Sequence, residues 1–122
     1  MAAALNVIVI YARDMQRTAD FYRKFFGFLS SGEVVERLIE LAPADGGAGI
    51  LIHQASKGIR LGQAAVKLSF SVPDVEAFKR QSSKLGLKFG ATRAANGYSY
   101  ANAKDPDGNS VAISSRAYRT RT

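Results

Sequence analysis

The 122 residues suffice for one domain with a real core and are too few for two of ordinary size. With 47% hydrophobic and 22% charged residues the balance is that of a globular protein, and no apolar run is long enough to span a bilayer. The lack of cysteine excludes disulfides, thiolate metal sites and thiol nucleophiles, while a formal charge of +7 favours anionic over cationic partners.

The opening Met1-Ala2-Ala3-Ala4-Leu5-Asn6 has none of the basic residues that begin a secretory signal, so a mature, cytoplasmic protein is expected. Residues 5–13 form a β-branched run ending at Asp14, whose carboxylate can cap the free N–H groups of a following helix. That helix is expected from Met15 to about Phe26, with Gly27 at its end, where glycine tolerates left-handed backbone. Phe21, Tyr22, Phe25 and Phe26 load it with aromatic side chains, which on a helix covering a sheet read as core. Strand and turn signals follow over Glu33 to Leu41, a glycine-rich turn over residues 44–49, and a strand at Ile50-Leu51-Ile52-His53.

The order then repeats. Residues 64–73 form a second strand-like run ending at Asp74, 60 residues after Asp14. A helix is expected from Val75 to about Leu85, with Val75, Phe78 and Leu85 on one face and Gly86 behind it. Leu87 to Ala95 and Tyr98 to Ala103 flank Asn96-Gly97, a two-residue hairpin signal because both residues tolerate positive φ. Asp105-Pro106-Asp107-Gly108 then precedes a last strand at Ser110 to Ser114. The reading is one α+β domain over 1–122, built from two βαβββ modules at about 1–60 and 61–122.

Alternation divides each strand into a core side and an open side. Ile8 and Ile10 go to the helices and leave Val7, Val9 and Tyr11 on the open side. Val66, Leu68, Phe70 and Val72 go inward and leave Lys67, Ser69 and Ser71. Val111 and Ile113 leave Ser110, Ala112 and Ser114, Leu51 shares its parity with His53, and Tyr98 shares its parity with Tyr100. These open residues make a mixed surface suited to a small organic ligand with an apolar body and an acidic group. Lys67 needs an anion there, supplied by the ligand or by Glu36 or Glu40.

Three segments carry a family resemblance: Tyr11-Ala12-Arg13-Asp14-Met15, Phe21 through Phe28, and Asp105-Pro106-Asp107-Gly108-Asn109. With them the chain resembles the vicinal-oxygen-chelate superfamily, which contains glyoxalase I, extradiol dioxygenases, fosfomycin-resistance enzymes and bleomycin-resistance proteins. The resemblance implies an open, curled mixed sheet forming a cup with the helices outside, and a homodimer. It also implies a divalent metal held from the first and last strand of each module. The first-strand ligand precedes the strand-ending Asp by seven residues, which falls on Val7 and Lys67, and the last-strand positions fall on Leu51 and Ala112. None of these four can ligate a divalent ion as it stands, and His53 is the single histidine, so no metal and no cofactor are expected.

The functional expectation is a metal-free small-molecule-binding protein with ligand-binding residues Val7, Val9, Tyr11, Leu51, His53, Lys67, Ser69, Ser71, Tyr98, Tyr100, Ala112 and Ser114. One alternative is a metal-independent lyase or isomerase in which Lys67 is the base or nucleophile and Tyr98 or Tyr100 the acid. Another is a regulatory module acting through the basic tail of Arg116, Arg119 and Arg121. The other basic residues are scattered and no nucleic-acid-binding spacing is present, so neither nucleic acid nor a membrane is expected as a partner.

Overall fold

Residues 1–120 are described by a computed structural model. Its contacts divide the chain into two compact units, Met1–Leu61 and Gly62–Thr122. The class is α+β, with two helices and two mixed, unclosed sheets.

The first unit comprises β1 (Val7–Ala12), α1 (Met15–Phe26), β2 (Leu38–Leu41) and β3 (Gly49–Gln54), with strand order β1-β3-β2. β1 runs parallel to β3, and β2 antiparallel to it. Asp14 caps α1 as expected, its carboxylate accepting from the Arg17 N–H at 3.2 Å. Gly27 ends the helix in left-handed backbone and donates to the Arg23 carbonyl. α1 packs on one sheet face, where Ile10, Ala12, Ile39, Leu41, Ile50 and Ile52 meet Phe21 and the fully buried Tyr22. Phe21 and Tyr22 are therefore core rather than a ligand box, while Phe25 and Phe26 are half-buried with their rings against them.

One strand of the first unit is nearly absent. Between α1 and β2 the pairing shrinks to two isolated bridges, Leu29 with Ala42 and Val35 with Leu38. The cause is local. The hydroxyls of Ser30 and Ser31 accept from the N–H groups of Gly32 and Glu33, which removes those donors from a ladder. Glu36 and Arg37 then close a two-residue turn with positive φ at both (52° and 68°). This is the turn geometry that normally takes Asn-Gly.

The second unit comprises β4 (Lys67–Ser71), α2 (Val75–Lys84), β5 (Arg93–Ala94), β6 (Ser99–Lys104) and β7 (Ser110–Ser114), in the order β4-β7-β6-β5. Its first strand again pairs parallel with its last. Asp74 caps α2 through the Ala77 N–H. Behind α2, Leu87 donates to the Ser82 carbonyl and Gly86 to that of Ser83, a Schellman closure with Gly86 at positive φ. α2 is tied to the segment before β5 through Thr92, which donates to Glu76 and accepts from Lys79.

Three expectations need correcting in this unit. Val66 is 63% exposed because β4 begins only at Lys67, and Leu85 is 46% exposed because α2 stops at Lys84. The hairpin at Asn96-Gly97 does form, with Ala95 donating to the Tyr98 carbonyl, but only Gly97 has positive φ. The Asp105 turn is self-contained: its carboxylate accepts from the backbones of Asp107 and Asn109 and from the Asn109 side chain. No helix among the described residues is long and apolar enough to cross a membrane.

Candidate functional site

Each sheet has one face packed under its helix and one face open, and the open faces carry the residues singled out by alternation. On the first, exposure alternates along β1 as expected: Val7, Val9 and Tyr11 are exposed, while Ile10 and Ala12 are buried. The register aligns Val9 with Leu51 and Glu40, and Tyr11 with His53 and Leu38. The rings of Tyr11 and His53 lie 5.1 Å apart. The His53 Nδ1–H donates to the Gln54 carbonyl at 2.8 Å. At the far end Val7 pairs with Gly49, beside a depression of about 230 Å³. Its wall includes Glu40, Pro43 and Leu51.

The second open face has a different chemistry. Its rows read Lys67, Ser110 and Lys104; then Ser69, Ala112 and Asn102; then Ser71, Ser114, Tyr100 and Arg93. Lys67, Ser69 and Ser71 are exposed. Ala112 and Ser114 share their side of the sheet yet are buried, because small side chains on a central strand lie below taller neighbours. Lys67 reaches across β7 to place Nζ 5.5 Å from the Tyr100 ring centroid. Tyr98 lies 6.4 Å from Tyr100, and the Arg116 guanidinium 5.9 Å from the Tyr98 ring.

Within its own unit Lys67 therefore has an aromatic partner, not a carboxylate. The start of the basic tail is also engaged: Arg116–Tyr118 form a short 3-10 turn, and Arg119 donates to the Arg116 carbonyl. Arg121 lies outside the described residues.

Asn102 was missed by the sequence reading. The parity that couples Tyr98 to Tyr100 extends to it two residues later, so the signal was available. Its Oδ1 is buried and has no hydrogen-bond partner among the described residues.

The positions that the resemblance assigns to a metal lie on the open faces, each pair offset by two residues along the strand pairing: Val7 and Leu51 on the first, Lys67 and Ala112 on the second. These residues do not fit a divalent ion. Three have no donor atom, and the lysine carries a competing charge. Among the described residues no three His, Cys, Asp or Glu side chains gather to hold one.

The family model described as the Glyoxalase/Bleomycin resistance protein/Dioxygenase superfamily matches residues 4–113. The chain belongs to this superfamily.

No curated protein sequence matches the chain. Among solved structures, TnmS3, described as an antibiotic binding protein from Streptomyces sp. CB03234, is 19% identical with a TM-score of 0.73, over 92% of this chain and 94% of its own. UcmS2 is 17% identical with a TM-score of 0.78, over 94% of this chain and 99% of its own. Lactoylglutathione lyase from Agrobacterium tumefaciens is 21% identical with a TM-score of 0.69, over 93% of each chain. At these identities the likeness is one of fold, and a superfamily that houses both binders and lyases leaves function to the side chains.

Proposed function

We propose that this superfamily member is a metal-free small-molecule-binding protein, acting as a homodimer on a neutral or anionic ligand. The observation that carries the reading is the chemistry of the open faces, where the family's ligand positions hold Val7, Leu51, Lys67 and Ala112. A binding protein needs no group at those positions that activates substrate. The fold likeness to an antibiotic-binding protein agrees with this. The net charge of +7 disfavours a cationic ligand.

The test is the metal content of protein grown in metal-supplemented medium and purified without chelator. We expect less than about a tenth of an equivalent of any divalent ion, since a site of this family's usual type would retain its metal. Near one equivalent would sink the metal-free reading and return attention to His53 and nearby carboxylates. Sedimentation at micromolar concentration checks the dimer.

One observation favours a second reading, a metal-independent lyase or isomerase. Lys67 lies over the Tyr100 ring, so the base and one of the acids that this reading needs share a face. Borohydride trapping of a carbonyl substrate on Lys67 tests the Schiff-base form, and substrate turnover that Lys67→Ala abolishes tests the acid–base form; a simple binder shows neither.

A further inference from the structure

We propose that the open face of the second unit takes a small organic acid that also carries a hydrogen-bond donor, with the anion at Lys67 and the donor at Asn102. This deepens the small-molecule reading above and rests on it.

Of the seventeen basic and ten acidic residues, the first unit holds seven and six, the second ten and four. Nearly all of the +7 therefore belongs to the second unit. Lys67, Arg93 and Arg116 stand around Tyr98 and Tyr100, and none of the three forms an ion pair among the described residues. The unit's own carboxylates are engaged elsewhere. Asp74 caps α2, Glu76 accepts from Thr92, and Asp105 closes its own turn, with Asp107 inside it. A face of cations with no internal counterion draws an anion from solution, and cation–ring contacts hold Lys67 and Arg116 in place meanwhile.

The buried Oδ1 of Asn102 accepts nothing, a costly state for a polar atom. Asn102 sits in one row with Ala112 and Ser69, and the alanine presents only a methyl between them. A donor on the ligand completes the amide. Lys67 and Asn102 lie two strand spacings and one two-residue row apart, roughly 12 Å between backbones, part of which the lysine side chain itself covers. A para-substituted aromatic acid spans such a gap, and its ring would lie beside Tyr100.

The probes are 4-hydroxyphenylacetate, its amide, which lacks the charge, and phenylacetate, which lacks the donor. Each is titrated against the full chain by calorimetry, with the amide resonances of Ser69 and Ala112 followed by NMR. The hydroxy acid should bind about tenfold or more tightly than either analogue. Lys67→Gln should erase the preference over the amide and keep the preference over phenylacetate; Asn102→Leu should do the reverse. Asn102→Ser serves if the leucine variant does not fold.

Equal binding of all three probes, with shifts at Ser69 and Ala112, overturns this inference while small-molecule binding stands. Preferences that survive both substitutions overturn it too. If no probe binds at millimolar concentration the inference also fails, and metal content with a broader ligand screen judges the parent reading separately.

Discussion

The two units share one plan and differ on one face. In each, a strand runs into an Asp-capped helix, and that first strand pairs parallel with the last. In register, Val7, Val9, Tyr11, Leu51 and His53 of the first unit correspond to Lys67, Ser69, Ser71, Ala112 and Ser114 of the second. Large apolar and aromatic groups are thus exchanged for a cation, hydroxyls and a methyl. On the core side the exchange is far milder: Ile50 and Ile52 correspond to Val111 and Ile113, all essentially inaccessible. The helix-facing side must fill space against a neighbour, so its residue types are constrained. The open side has no such partner and can specialise, one unit towards apolar contact and the other towards anions.

The sharpest way to break this comparison is through the matched core positions. Ile52→Ala and Ile113→Ala should each cost about 2–5 kcal/mol of unfolding free energy. Urea denaturation measures both, and a negligible cost at either would show that the two cores are not equivalent. A smaller effect tests the helix starts. Asp14→Ala and Asp74→Ala should each lose about 1 kcal/mol, because each removes the acceptor for one orphan N–H. A clear inequality would show that one helix is held by its packing alone.

The smallest effect bears on a feature the units do not share. Arg37→Gly should stabilise the chain by roughly 0.5–1 kcal/mol, since glycine relieves the left-handed backbone at little cost. A lower melting temperature instead would mean that the arginine side chain makes a contact worth more than the strain.

Much of this architecture was legible because it depends on local chemistry. The Asp14 and Asp74 caps, Gly27 and Gly86, the two parallel-paired runs and the sidedness of β1 all follow from residue type and a period of two or 3.6. The misread elements are those where local competition acts. Hydroxyl turns at Ser30 and Ser31 consume the donors that a strand needs, and the Glu36-Arg37 turn has no glycine to announce it.

For the open faces, the sequence alone determined which residues share a side, because alternation is a property of the extended backbone itself. It also determined that Val7, Leu51, Lys67 and Ala112 bring no metal-binding donor, because donor atoms belong to residue type. Tertiary structure alone decided how those side chains meet. Sheet register laid Ala112 between Ser69 and Asn102, buried it on a central strand, and brought Lys67 over Tyr100 and Arg116 over Tyr98. Those contacts join residues far apart in the chain, and no local periodicity encodes which strand lies beside which.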